Sequence, residues 1–132
     1  MKDCVFCQIV AGKIPCYKIY EDNDFLAFLD IKPLSIGNSL LIPKKHYRWV
    51  YNVSDFGRYW QTAQKIALAS LQALKADSIS FLTLGYEIPH AHIRIIPRFK
   101  NDVHQHGIDP KQIQKISSQK MTKIAQKIKN LL

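Results

Sequence analysis

The stretch IPHAHIRIIPR, residues 88–98, decides how this chain reads. It is apolar and β-branched enough to pair in a sheet, yet every second residue from His90 to Arg94 is basic or titratable. Side chains alternate along a strand, so His90, His92 and Arg94 are expected on one face and Ala91, Ile93 and Ile95 on the other. One face suits a core and the other suits chemistry. Upstream, 79–84 is a second strand, joined to 90–97 by a short turn around Gly85, which predicts antiparallel pairing. Residues 17–21 and 25–30 form two more strands around the turn EDND, and 39–43 forms another. From a cap at Ser54 or Asp55, Phe56, Tyr59, Trp60, Ala63, Ile66, Ala67, Leu71 and Leu74 recur at helical spacing, which predicts a helix laid on the sheet. A last helix is expected from Asp109, with Pro110 at its first position and Ile113, Ile116, Met121, Ile124 and Ile128 along one side. Residues 4–11 predict a short helical turn, stopped by Gly12 and Pro15. The fold class is α+β: a mainly antiparallel five-stranded sheet with one long helix and a C-terminal helix.

With 132 residues, no repeat and no low-complexity tract, the chain reads as a single domain over 1–132. Its core is expected at about 4–98, with a helical extension at about 109–130. Hydrophobic residues make up 47% and charged residues 22%, which excludes a disordered chain. No apolar run is long enough for a bilayer and no secretory leader is evident, so a cytoplasmic location without membrane contact is expected. In that compartment the three cysteines read as metal ligands or free thiols rather than a disulfide framework. The net charge of +9 favours anionic partners. Much of it falls on the wet face and C-terminal end of the last helix, where lysine complements the helix dipole, so nucleic acid is a possible partner but not the favoured one.

Two constellations carry chemistry. Cys4 and Cys7, in CVFC, place two sulfurs within reach of one small ion. On its own the pair also fits a redox couple or two buried small residues. His46, in IPKKH, and His90 are the candidates to complete a tetrahedral site. The second constellation is His90-x-His92-x-Arg94. Imidazole is a nucleophile toward phosphorus and carries protons near neutral pH, and guanidinium holds phosphate oxygens. The set suits phosphoryl or nucleotidyl transfer. A metal-binding His pair without a nucleophile is the competing reading.

Together, CVFCQIVAGKIPCYKIYEDNDFLAFLDIKP, SLLIPKKH and PHAHIRIIPR resemble the histidine-triad (HIT) nucleotide-binding proteins, from about Cys4 to Arg98. The resemblance implies a HIT-like α+β fold, usually a homodimer, for which the helix ending at Leu74 and the strand near Ile79 are the expected interface. It implies that His92 attacks the α-phosphorus of a nucleotide to give a nucleotidyl-histidine that water resolves. It also implies structural zinc held by Cys4, Cys7, His46 and His90. Asp30 matches the carboxylate that accepts the ribose hydroxyls, and Phe6, Ile9, Phe28, Ile31 and Leu40 match the apolar walls around a purine base. Cys16 has no matching role.

The chain departs from that pattern in three places. Arg94 stands where the third His is common; it can hold a phosphate oxygen but cannot shuttle a proton near neutrality. Asn38 stands where many members have a His that supports the nucleophile. Tyr86 stands where Gln is common, and the Asn/Gly-rich phosphate loop before Gly85 is missing. Three functions are therefore expected in competition. The first is a hydrolase or transferase acting on nucleoside phosphoramidates or dinucleoside polyphosphates. The second is a zinc-stabilised nucleotide-binding module with little turnover. The third is a nucleic-acid end processor or binder.

Overall fold

The structure is a computed structural model that describes residues 3–132. Five strands form one fully antiparallel sheet: β1 (Lys18–Glu21), β2 (Phe25–Leu29), β3 (Ser39–Pro43), β4 (Ser78–Leu82) and β5 (Ile93–Arg98), in spatial order β1-β2-β3-β5-β4. Among the described residues, three α-helices accompany it: α1 (Val5–Val10), α2 (Phe56–Leu74) and α3 (Ser118–Lys129). The central strands β2 and β3 are buried on both faces, which is why FLAFL and SLLIP read as near-continuous apolar runs.

Alternation along the strands sorts two cores. Phe25, Ala27 and Leu29 of β2, Leu41 of β3, and Ile93 and Ile95 of β5 face one way, against Tyr59, Ala63 and Ile66 of α2 and Met121, Ile124 and Ile128 of α3. The phenol of buried Tyr59 donates to the Leu41 carbonyl at 2.7 Å, so the ring fills the core without stranding its hydroxyl. Leu26, Phe28, Leu40 and Ile42 face the other way and are covered by Cys4 and Phe6 of the α1 segment. The first face holds the fold together; the second is left to a short helix and carries the site.

α2 begins where its cap predicts, with the Asp55 side chain accepting from the Arg58 backbone N–H, and ends at Lys75 in the left-handed region. Two expectations are corrected. α3 starts at Ser118, not Asp109: Ser117 caps it by accepting from the Lys120 N–H, and residues 109–114 form an irregular segment tied to the loop after β2, with Gln114 N–H donating to the Pro33 carbonyl at 2.7 Å. The β5 ladder starts at Ile93, not His90. In the extended lead-in, Ala91 N–H donates to the Tyr47 carbonyl at 2.7 Å instead of to a strand. The alternation survives this change, with Ala91 joining Ile93 and Ile95 in the helix-side core.

Candidate functional site

Register places the site. Phe28 of β2 pairs with Leu40 of β3, and Leu40 pairs with Arg94 of β5, so these three side chains stand in a row on the face away from α2 and α3. α1 lies across the row through Phe6. That ring meets Phe28 edge-on at 5.6 Å, His92 at 5.3 Å and His90 at 5.7 Å between centroids. Beside it opens a cavity of about 480 Å³. Phe6, Ile9, Phe28, Asp30, Ile31 and Leu40 line it, and so do His92 and Arg94. Ile31 is 75% exposed, so it forms a rim rather than a wall. Cys16, Pro110 and Ile113 line it too, a place that the sequence does not assign to them. Apolar spacing places Ile113 on a helix stripe, because spacing alone does not separate a helix from a segment pinned over a cavity.

The polar groups divide the cavity. Asp30 closes β2, and one of its carboxylate oxygens accepts from the Lys32 N–H at 2.9 Å. Burial raises its pKa, against the pull of that N–H, Arg94 and Lys32. Arg94 is half-buried, and its Nε has no hydrogen-bond partner among the described residues. A buried guanidinium N–H without an acceptor is costly, and an anion would satisfy it.

His92 is 5% exposed. Its Nδ1 lies 2.7 Å from the His90 carbonyl, which can only accept, so Nδ1 carries the proton and Nε2 keeps its lone pair. Burial lowers the His92 pKa, and the positive charges of Arg94 and Arg48 add to that, so the neutral imidazole is favoured. A buried, oriented imidazole with a free lone pair beside an unpaired guanidinium can attack an electrophile that carries negative charge. Asn38 does not reach this ring. Its Oδ1 accepts from Leu34 N–H at 2.9 Å, and its Nδ2 donates to the carbonyls of Ser39 and Ile95. The amide fastens the 30–38 loop to β5.

On the other side of Phe6, four ligand-type side chains converge. Cys4 and Cys7 come from the start of α1, His46 from the turn after β3 and His90 from the lead-in to β5. Their ligand atoms all lie within 4.8 Å of one another. His90 Nδ1 stands 3.3 Å from Cys4 Sγ, 3.5 Å from Cys7 Sγ and 3.1 Å from His46 Nδ1. Donors around a tetrahedral ion of this kind sit about 3.3–3.8 Å apart, so the group fits one small cation. The supporting bonds fit as well. His90 Nε2–H donates to the Pro43 carbonyl at 2.8 Å, which turns Nδ1 toward the ligand set, and burial pushes the His90 pKa down to about 4, keeping it neutral. Burial and the adjacent Cys4 raise the Cys7 pKa, so a bound cation is what would draw Cys7 to thiolate.

The HIT domain family model matches residues 11–101. The chain is 36% identical to the protein hit of Bacillus subtilis over 89% of this chain and 91% of that one. It is 41% identical to an adenylylsulfatase of Arabidopsis thaliana over 76% of this chain and 54% of the relative, and 33% identical to an adenosine 5'-monophosphoramidase of Saccharomyces cerevisiae over 72% and 62%. Among solved structures, a HIT-like protein of Bartonella henselae superposes with a TM-score of 0.84 at 27% identity, covering 100% of this chain and 98% of that one. A zinc-bound histidine triad family protein of Mycobacterium smegmatis superposes with a TM-score of 0.80 at 28% identity, covering 98% and 93%.

Proposed function

This chain belongs to the HIT domain family, and on that footing we propose that it is a zinc-stabilised nucleotidyl hydrolase or transferase whose nucleophile is His92. The observation that carries the proposal is the joint lining of one cavity by His92, with Nε2 free, and Arg94, with Nε unpartnered, at the polar end of apolar walls that suit a purine. Two relatives named for adenylyl sulfate and adenosine monophosphoramidate chemistry support the same reaction class. The reading has the base packed among Phe6, Ile9, Phe28 and Leu40, with Asp30 accepting from the ribose hydroxyls. Arg94 meets the α-phosphate. His92 Nε2 attacks phosphorus and the leaving group departs with the bond's electron pair; water then attacks the nucleotidyl-histidine and frees the imidazole.

Zinc would be held by Cys4, Cys7, His46 and His90, and it supplies charge and rigidity rather than a reacting ligand. Its mechanical effect passes through His90, whose carbonyl fixes the His92 tautomer two residues on. A twofold dimer in the cytoplasm completes the reading. Edge strand β4 exposes Phe81, and α2 exposes Phe56 and Leu68 nearby, surfaces that a second copy would cover.

A second reading, a binding module with little turnover, is favoured by one observation. Arg94 holds the place beside the nucleophile where a titrating group could serve the leaving atom. Single-turnover kinetics separate the two. An active enzyme converts a purine nucleoside 5'-phosphoramidate to the monophosphate, and His92→Ala abolishes conversion while the dissociation constant stays within about fivefold. Conversion by His92→Ala at the natural rate would refute His92 as nucleophile. Tight binding without conversion by the natural chain would establish the second reading.

A further inference from the structure

The HIT domain match ends at residue 101, yet two residues beyond it, Pro110 and Ile113, line the cavity of His92 and Arg94. Hydrogen bonds rather than core packing carry the chain to that place. Between residues 102 and 114 only His104 is buried. Arg98, at the end of β5, holds Asp102, and Asp102 Oδ1 accepts from the His104 N–H at 3.1 Å. The His104 ring then joins two segments. Its Nε2–H donates to the Leu34 carbonyl at 2.7 Å, and its Nδ1 accepts from the Asp109 N–H at 3.1 Å. At the far end of the segment, Gln114 N–H donates to the Pro33 carbonyl at 2.7 Å. Leu34 and Pro33 both belong to the loop that begins at Asp30, so the segment is clasped to that loop at two points, on either side of Pro110 and Ile113.

Resting on the proposed function, we infer that residues 109–114 form a strap that covers the base of a bound nucleotide through Pro110 and Ile113, and that His104 is the positioning residue that holds it there. Ile113 is 48% exposed and lies outside α3, so neither the core nor a helix accounts for an apolar side chain at this point. Val5 and Ile31, also exposed, line the same cavity. Exposed apolar side chains gathered around one cavity are what a ligand with an apolar face would cover. Pro110 and Ile113 give nothing to a phosphate and suit a flat heteroaromatic ring, whose faces leave water on binding. The backbone of the strap is already satisfied. Asp109 N–H goes to His104, Lys111 N–H to the Asp109 carboxylate, Gln112 N–H to the Asp109 carbonyl, Ile113 N–H to the Lys111 carbonyl and Gln114 N–H to Pro33, and Pro110 has no N–H. The strap therefore grips by shape and area. It has no backbone donor with which to read the hydrogen-bonding edge that separates adenine from guanine.

The test uses the full chain and nucleoside monophosphates, products of the proposed reaction, so no turnover intervenes. Affinities for AMP and GMP are measured by calorimetry. The monophosphate of 2-aminopurine riboside, a fluorescent purine, is bound to saturation and quenched with acrylamide, which reads access to the base directly. Ile113→Ala should weaken AMP and GMP alike, each about fivefold, the scale of an isoleucine side chain covered over half its surface. It should also raise the quenching constant of the bound fluorescent base. His104→Ala should act in the same direction by releasing the strap, and His104→Gln, whose amide can still donate to the Leu34 carbonyl, should recover part of the loss. A role in folding alone would lower the melting temperature without opening the bound base to acrylamide. Because Ile113 is exposed, its variant tests the inference even if His104→Ala does not fold. Affinity and quenching unchanged in Ile113→Ala would overturn the strap, and a loss confined to one purine would overturn its grip by area. If the natural chain binds none of the three nucleotides, the proposed function fails and the strap with it. If it binds them and shields the base but forms no adduct on His92, the strap stands and the nucleophile assignment fails.

Discussion

Replacing Cys7 by serine removes one corner of the four-ligand group while leaving the fold around it nearly isosteric. The cost can be worked from how the group ties the chain. A cation at this site closes two loops: Cys7 to His46 spans 39 residues, and His46 to His90 spans 44. Chain-entropy reasoning assigns about 4 kcal/mol to a cross-link closing a loop of either length, so the pair sets an upper limit of about 8 kcal/mol. The apo chain still has Phe6 packed against Phe28, His90 and His92, which holds much of the same geometry, so about 3–5 kcal/mol is the expected loss. For a chain of this size that corresponds to a fall in melting temperature of about 10–20 °C. The assay is thermal unfolding by circular dichroism with and without a strong chelator, alongside metal content per chain. The natural chain should hold about one zinc and lose stability with chelator; Cys7→Ser should start low and ignore it. A natural chain whose melting temperature does not move when its metal is stripped would refute the structural role.

Three further predictions concern the frame and the pocket. Asp102 accepts from Arg98 Nε at 2.8 Å and Nη2 at 3.1 Å and from three backbone N–H groups, of Phe99, His104 and Gln105, and this network, led by Arg98, holds its pKa well below the usual carboxylate range. A depressed folded pKa gives stability that is present above about pH 4 and lost as pH falls through the folded value, so Asp102→Asn should cost about 1–3 kcal/mol in urea titrations at pH 7, with the gap narrowing at pH 2–3. Gly37 has φ +81°, and a Cβ there would run into the Leu74 side chain, so Gly37→Ala should lower stability by about 1–3 kcal/mol and loosen the loop that carries Asp30. Arg94→Ala should weaken monophosphate binding about tenfold or more in calorimetry, the scale of one charge-assisted contact, and an unchanged affinity would remove Arg94 from the phosphate site.

The alternation in residues 88–98 was enough to sort Ala91, Ile93 and Ile95 into the helix-side core and His92 and Arg94 into the cavity wall, because strand period depends on backbone geometry alone. The convergence of Cys4, Cys7, His46 and His90 was not legible from spacing, since 39 and 44 residues of intervening chain fix no distance; the family resemblance supplied it and the geometry agrees. The start of α3 was misplaced because Asp109-Pro110 is a sound helix opening in isolation. The competing signal lay at Ser117, a cap directly before the buried stripe Met121, Ile124, Ala125 and Ile128. His104 explains why the earlier opening fails: its Nε2–H donates to the Leu34 carbonyl at 2.7 Å and its Nδ1 accepts from the Asp109 N–H, anchoring the segment across the pocket before the chain turns into α3. Neither of those bonds is visible to periodicity.

The central claim is that His92 becomes covalently attached to the nucleotide. Rapid acid-free quenching of the natural chain with an adenosine 5'-phosphoramidate, followed by intact-mass measurement and peptide mapping, reads that bond directly. The account predicts a transient gain of one adenylyl group per chain, mapped to the peptide containing His92 and absent from His92→Ala. Turnover with no adduct at any time point, or an adduct that persists in His92→Ala, would contradict it.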